Sequence, residues 1–175
     1  MTCLTADPSR SALLWSERTP DVILLVCGPP GAGKTTIAAR ARDELAHRGR
    51  EFRTLHSDGF SRNTYERTYR RVLGTDDDWT VDGTFYRREW RERFYDLGGV
   101  RIVCVTASLE TCLRRNRERA DPIDEDGVHV IHREFDRSRA DLTVDTDETP
   151  LDAAAERVAD AVERWFAATR RGSSR

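Results

Sequence analysis

The stretch that decides the fold is Gly28-Pro29-Pro30-Gly31-Ala32-Gly33-Lys34-Thr35. It fits the pattern G-x-x-x-x-G-K-[ST], a loop whose backbone N–H groups hold the phosphates of a nucleotide. The run 21–27 before it is apolar on both faces, as a central parallel strand should be. The residues 35–48 after it have helical composition and meet a stop at Gly49. A strand, a glycine-rich turn and a helix in this order indicate a working phosphate-binding loop, or P-loop.

Lys34 is the only lysine in the sequence, and the other 28 of the 29 basic residues are arginine. The compositional bias towards arginine over lysine in the rest of the sequence does not extend to position 34. A P-loop lysine must reach past a tight backbone turn as a slim point charge, whereas the planar guanidinium of arginine is broader and hydrated differently. The composition therefore supports the same function as the motif.

The bulk composition excludes several classes of protein. The net charge of −2 provides no basic field for nucleic acid. No segment approaches the apolar length of a membrane span, and the polar first twenty residues do not resemble a signal peptide. The four cysteines form no C-x-x-C pair, which favours reduced thiols and a cytoplasmic protein.

Apolar runs alternate with amphipathic segments along the chain. This alternation predicts an α/β fold of the P-loop NTPase type, a three-layer sandwich with a mostly parallel five-stranded sheet and helices on both faces. Strands are expected at 22–27, 52–57, 79–82, 100–106 and 142–145. Helices are expected at 34–47, 61–73, 87–97, 110–119, 127–138 and 151–169. We expect a loose N-terminal arm at 1–20, one kinase-like domain at 21–169 and a disordered tail at 170–175.

The P-loop residues have separate expected roles. Lys34 would bridge the β- and γ-phosphates of ATP, and the hydroxyl of Thr35 would bind Mg²⁺. Backbone N–H groups and the positive end of the following helix would hold the phosphate oxygens. The predicted nucleotide-binding set is Gly28, Pro29, Pro30, Gly31, Ala32, Gly33, Lys34, Thr35 and Thr36.

Two carboxylates follow predicted strand ends, where a parallel sheet places its ligands. Asp82 has the position of a metal-binding acid, or it is a turn residue before Gly83. Asp58 has the position of a general base that accepts the proton of an acceptor hydroxyl, or it is an Asx-turn residue before Gly59. The sequence alone leaves open which carboxylate has which role.

The third candidate cluster is the arginine-rich run 114–119. Arg115 and Arg119 are four residues apart, so they share a helical face and could close over the negative charge that spreads during phosphoryl transfer. The break at Asp121-Pro122 suggests that residues 110–138 form a mobile lid. The alternative is a solvated helix face in an arginine-rich protein.

Several further stretches carry a family resemblance over residues 21–165. They are the R-N-x-E-R core within 107–119, the helix with Arg133-Glu134-Phe135-Asp136 and the strand Thr143-Val144-Asp145-Thr146. With the P-loop, they resemble the P-loop kinases around archaeal L-seryl-tRNA(Sec) kinase, relatives of adenylylsulfate kinase and of the accessory ATPases of tRNA wobble-uridine modification. The resemblance implies an ATP- and Mg²⁺-dependent kinase in which Lys34, Thr35, Asp58, Arg115 and Arg119 have the roles given above.

The resemblance also implies an acceptor side, and here the sequence departs from the family. Asp82, Thr84 and Tyr86 match the stretch V-D-D-T-N-Y, but its second aspartate is Gly83 and its asparagine is Phe85. An arginine expected three residues after the base is displaced by one position, to Arg62. The seryl-tRNA kinases have an added C-terminal tRNA-binding region that this sequence lacks, so tRNA stays a possible partner without a dedicated domain for it.

The expected function is thus transfer of the γ-phosphate of ATP to a hydroxyl on a small molecule or an aminoacylated RNA. The alternatives are a regulatory ATPase coupled to a tRNA-modification partner, and an adenylylsulfate or nucleotide kinase. With its one lysine in the P-loop, the chain has no guanine-specifying N-K-x-D motif, which favours ATP over GTP.

Overall fold

The computed structural model describes residues 22–57 and 63–172. Its centre is a sheet of five parallel strands in the order β2-β3-β1-β4-β5. The strands are β1 (Ile23–Cys27), β2 (Arg53–His56), β3 (Trp79–Gly83), β4 (Val100–Thr106) and β5 (Leu142–Asp145). The predicted α/β fold is confirmed, and each described strand is parallel to its neighbours. β1 pairs with β3 on one side and β4 on the other, so the loop after β1 leaves from the middle of the sheet.

Helices cover both faces of this sheet. They are α1 (Lys34–His47), α2 (Thr64–Val72), α3 (Arg88–Glu92), α4 (Leu109–Arg117), α5 (Glu125–Glu134) and α6 (Leu151–Gly172), with a 3-10 helix at Arg93–Leu97 after α3. Side chains alternate along β1. Leu24 and Val26 pack with α1 and α6 in one core, and Ile23 and Leu25 pack in a second core with α2 and the 3-10 helix.

Five of the six predicted helices have different bounds in the structure. The helix expected at 61–73 is α2 (Thr64–Val72), and the helix expected at 110–119 is α4 (Leu109–Arg117). The helix expected at 87–97 becomes 3-10 after Glu92. The helix expected at 127–138 is α5, which begins earlier at Glu125 and ends earlier at Glu134. α6 continues to Gly172, so it enters the segment 170–175 that we expected to be a disordered tail. The expected N-terminal arm at 1–20 lies outside the described residues.

Tertiary hydrogen bonds explain the early end of α5. Phe135 leaves the helix in an extended conformation. The Asp136 N–H then donates to the carbonyl of Tyr86 (3.0 Å), and the Asp136 carbonyl accepts from Nη1 of Arg91 (2.5 Å). Arg91 is 1% exposed. These bonds fasten the chain after α5 to the segment that follows β3, and helical geometry beyond residue 134 is incompatible with them.

No helix in the described part of the chain has both the length and the apolar character that a bilayer span requires.

Candidate active site

The P-loop lies between the end of β1 and α1, and its backbone conformation depends on glycine. Gly31 and Gly33 have φ values of 81° and 95°, in the left-handed region that side chains disfavour. A Cβ atom on Gly31 would also lie 2.3 Å from the carbonyl oxygen of Cys112 on α4. Burial raises the pKa of the Cys112 thiol to about 11, so this neighbour of the loop is neutral at physiological pH. The turn is thus packed directly against α4.

A cavity of about 350 Å³ opens beside this turn. Its lining residues are Gly31, Gly33, Lys34, Thr35, Thr36, Arg115 and Arg119. Lys34 is the first residue of α1 and is 7% exposed. Its solvent contact is therefore small, and it lies in the wall of this cavity. Of the predicted nucleotide-binding set, Gly28, Pro29, Pro30 and Ala32 are buried and do not line the cavity. The structure therefore brings the P-loop and both predicted arginines to one cavity.

Asp82 lies next to the P-loop because β3 pairs with β1. Asp82 faces Val26 in the register of the two strands. Its carboxylate is buried, at 3% exposure, and its Oδ2 atom accepts a hydrogen bond of 2.7 Å from the Thr35 hydroxyl. A carboxylate and a hydroxyl are the oxygen ligands that suit Mg²⁺, which usually takes only one or two protein ligands beside nucleotide phosphates and water. The described residues contain no group of three or more His, Cys, Asp or Glu side chains suited to a metal. The pair Thr35 and Asp82 thus fits an ion that arrives with its nucleotide.

His56 is a third member of this group that the sequence analysis missed. It is the last residue of β2 and the Cα partner of Asp82 in the register of β2 and β3. Its Nδ1 atom forms a close contact with Oδ1 of Asp82. The signal available in the sequence was that both residues lie within one position of a strand end, but their pairing depends on which strands are neighbours.

Asp58 and Arg62, the predicted general base and acceptor arginine, both lie outside the described residues. Ser57, the described residue directly before Asp58, is buried and packs against Gly83. A Cβ atom on Gly83 would lie 2.0 Å from the Ser57 hydroxyl oxygen. The second aspartate of the stretch V-D-D-T-N-Y therefore has no room here, which explains the departure at this position.

We expect Gly83→Ala to destabilise the protein by about 1–3 kcal/mol, because the added methyl group overpacks a buried site. Gly127→Ala is the matched control, since Gly127 lies in α5 and nothing is within 4 Å of its added Cβ. That control should stabilise the protein by about 0.5–1 kcal/mol, as expected for glycine replaced within a helix. Urea unfolding curves of both variants measure the difference. A Gly83→Ala variant as stable as the wild type would contradict the close packing with Ser57.

Thr84 and Tyr86 do not line the P-loop cavity in the described structure. The carbonyl of Thr84 accepts a hydrogen bond of 3.4 Å from the N–H of Gly28, which supports the start of the P-loop. The ring of Tyr86 packs edge-on against Trp90, with centroids 4.9 Å apart. Phe85 between them is fully buried at φ 41°, so its ring supports the second core. The segment that the resemblance assigned to the acceptor thus lies beside the aromatic residues of α2 and α3.

A second cavity, of about 420 Å³, lies between α2 and α3. It is lined by Asn63, Thr64, Tyr65, Glu66, Glu89, Trp90 and Arg93. The rings of Tyr65 and Trp90 stack with centroids 4.2 Å apart, and Tyr65 also contacts Phe85 at 4.5 Å. The Glu66 carboxylate is fixed by Arg70 (2.6 Å) and by Arg93. This cavity combines a flat aromatic wall with polar groups held in place.

Arg115 and Arg119 approach the P-loop cavity in different ways. Arg115 donates from Nη1 to the carbonyls of Gly31 (3.3 Å) and Ala32 (3.4 Å) and to the hydroxyl of Thr146 (2.8 Å). Arg119 lies beyond the end of α4, so the two arginines do not share one continuous helical face as predicted. The turn after α4 still brings Arg119 to the cavity wall, and its exposed side chain can reach a ligand.

These different contacts predict different effects of two substitutions. Arg119→Met should weaken ATP binding by about 10- to 100-fold, the loss of one charge-assisted hydrogen bond, without changing thermal stability. Arg115→Met should weaken binding and also lower the melting temperature, because P-loop carbonyls lose a donor. Titration of a fluorescent ATP analogue and ligand-free thermal unfolding measure the two effects, with the exposed Arg114→Met as a control. If Arg119→Met binds ATP as tightly as Arg114→Met does, Arg119 is a solvated arginine with no part in nucleotide binding.

The parallel sheet, the P-loop cavity and the Thr35–Asp82 contact define a P-loop nucleotide-binding protein with a kinase-like fold. The chain belongs to the AAA domain family AAA_33, whose model matches residues 23–144. No curated protein sequence matches it.

Solved structures share this fold at low sequence identity. A gluconokinase from Sinorhizobium meliloti 1021 is 14% identical and matches with a TM-score of 0.71, over 90% of this chain and 100% of its own. An APS kinase from Mycobacterium tuberculosis, solved with AMPPNP and APS, is 20% identical (TM-score 0.60; 82% of this chain, 99% of its own). Kti12 from Chaetomium thermophilum, solved with ADP-AlF3, is 17% identical (TM-score 0.61; 80% and 98%). The fold is therefore found in proteins named as small-molecule kinases and also in at least one protein whose name does not identify it as a kinase.

Proposed function

We propose that this protein is an ATP- and Mg²⁺-dependent phosphotransferase that moves the γ-phosphate to a hydroxyl acceptor. The observation that carries the proposal is the hydrogen bond from Thr35 to the buried carboxylate of Asp82, directly beside Lys34 and the P-loop turn. A P-loop beside a carboxylate that can bind Mg²⁺ is the arrangement that phosphoryl transfer from a nucleotide requires. The kinase neighbours in the fold comparison agree with it.

The residues around the P-loop cavity would have separate roles in binding and transfer. The backbone N–H groups of the turn and the N-terminal end of α1 would hold phosphate oxygens, and Lys34 would bridge the β- and γ-phosphates. Thr35 and Asp82 would hold Mg²⁺, which neutralises phosphate charge when it is bound. Arg115 and Arg119 face the same cavity from α4 and the turn after it, where they would stabilise the charge of the transferring group.

The acceptor would enter from the side of α2 and α3. These helices follow β2 and β3, whose carboxyl ends lie beside Asp82. The cavity between them has the stacked Tyr65 and Trp90 as a wall and the fixed Glu66 and Arg93 as polar partners. Asp58, which follows β2, would accept the proton of the acceptor hydroxyl. A built cavity of this kind supports a kinase over an ATPase that acts only through a partner protein.

A transfer assay tests the proposal. Purified protein is incubated with γ-labelled ATP, Mg²⁺ and a panel of hydroxyl acceptors that includes sugars, nucleosides, adenylylsulfate and seryl-tRNA. Label that moves to an acceptor supports the kinase, and the Lys34→Met variant serves as the blank. Label released only as inorganic phosphate, and only when a partner protein is added, would favour the regulatory ATPase instead.

A further inference from the structure

The carboxylate of Asp82 is held by one neighbour at each oxygen. Oδ2 accepts from the Thr35 hydroxyl at 2.7 Å, and Oδ1 contacts Nδ1 of His56. The Cα atoms of His56 and Asp82 are register partners on adjacent parallel strands, so both side chains leave the sheet on the same face. The three residues form a chain of contacts from the end of β2, through β3, to the first turn of α1.

A carboxylate with two such contacts has a fixed orientation. The terminal torsion of aspartate is broad and roughly two-fold, so burial alone does not determine which way its oxygens point. A donor at Oδ1 leaves Oδ2 directed at Thr35, the residue that would share a metal ion with it. Contacts of this kind around metal-binding side chains orient the ligand and tune its affinity.

The exposure of His56 argues against a packing role. Its side chain is 55% exposed, whereas that of Asp82 is 4% exposed. A histidine that served the core would be buried, and water can take the place of an exposed ring as a partner of Oδ1 when that ring is removed. The contact thus matters more to the buried carboxylate than to the histidine that makes it.

We propose that His56 is a positioning residue that fixes the Asp82 carboxylate for binding the Mg²⁺ of Mg·ATP. The inference rests on the proposed function, since it assigns Asp82 to the metal. His56 acts through the N–H at its Nδ1 position, because a carboxylate oxygen accepts and a ring nitrogen must donate. The Nε2 side of the ring has no part in this role.

The position of the donor atom gives a sharp test. In asparagine the amide nitrogen is one bond from Cγ, as Nδ1 is in histidine, whereas in glutamine it lies one bond further out, near the place of Nε2. His56→Asn should therefore retain the contact with Asp82, and His56→Gln and His56→Ala should lose it. His47→Ala is the matched control, because His47 is an exposed histidine at the end of α1.

The readout is the Mg²⁺ concentration at which a fluorescent ATP analogue is half-maximally bound. We expect it to rise by about 10- to 100-fold in His56→Ala and His56→Gln, the usual range for loss of an outer contact to a metal ligand. His56→Asn and His47→Ala should stay close to the wild type. Ligand-free thermal unfolding should be the same for all five proteins, which a structural role of His56 would not allow.

Different results overturn the two proposals separately. If wild type and His56→Ala depend on Mg²⁺ equally, the positioning role of His56 is wrong and the proposed function is untouched. If His56→Asn loses as much as His56→Ala, donation from the Nδ1 position is wrong. If nucleotide binding by the wild type does not depend on Mg²⁺ at all, the proposed function fails and the role of His56 fails with it.

Discussion

Lys34→Met is expected to weaken ATP binding by at least about 100-fold while the protein stays folded. Two charge-assisted hydrogen bonds to phosphate, each contributing about 1.5–3 kcal/mol, would be lost together. Methionine is unbranched and adapts to the largely buried site of Lys34, so the loss is one of charge and donors rather than of packing. Titration with a fluorescent ATP analogue measures the affinity, and thermal unfolding checks the fold.

Lys34→Arg extends this prediction to the shape of the cation. Position 34 follows the tight turn of Gly31 and Gly33, where a planar guanidinium, which is broader and hydrated differently, cannot replace the point charge of the ammonium. We expect phosphotransfer to be lost although the positive charge is kept. Arg157→Met, an exposed position on α6, is the control. Full activity of Lys34→Arg would show that the composition argument from the single lysine is wrong.

Asp58→Asn and Asp82→Asn are expected to separate proton transfer from metal binding. If Asp58 is the general base, Asp58→Asn lowers kcat by about 10²–10⁴-fold and leaves Mg·ATP affinity nearly unchanged. Asp82→Asn should instead raise the Mg²⁺ concentration required, because the Thr35 hydroxyl loses its charged partner. Steady-state kinetics across a Mg²⁺ titration distinguish the two patterns. Unchanged turnover of Asp58→Asn with the true acceptor would show that Asp58 is not the general base. If Asp82→Asn lowers kcat and Asp58→Asn raises the Mg²⁺ requirement, then Asp82 is the base and Asp58 binds the metal.

Local sequence signals were sufficient for most of the fold. The apolar runs that became β1 and β4 are buried along nearly their whole length, and α1 occupies the residues predicted for it. Ser108 caps α4 through its side chain, which accepts from the N–H of Thr111, and serine is a common residue at this helix position. These features depend on periodicity, capping and burial, which a short window of sequence contains.

The features that were missed depend on residues far apart in the chain. His56 and Asp82 meet because β2 lies beside β3, a property of strand order rather than of either strand. Gly83 is required by Ser57 from the neighbouring strand end. The early end of α5 follows from the bond of Asp136 with Tyr86. In each case a tertiary contact determined the pairing, the residue type or the helix end, none of which local propensity could predict.

The fastening of Asp136 to Tyr86 and Arg91 bears on which residues between α4 and β5 can be exchanged. At the other end, Asn116 is buried and closes the loop after α4 through hydrogen bonds to Ile123 at 2.8 and 3.2 Å. Residues 124–134 thus lie between two anchored points. Helix α5 fills this span and buries Val128 in the core that contains α1 and α6. Exposed residues of α5 can therefore be exchanged without disturbing the strands or the P-loop, provided that position 128 keeps an apolar side chain.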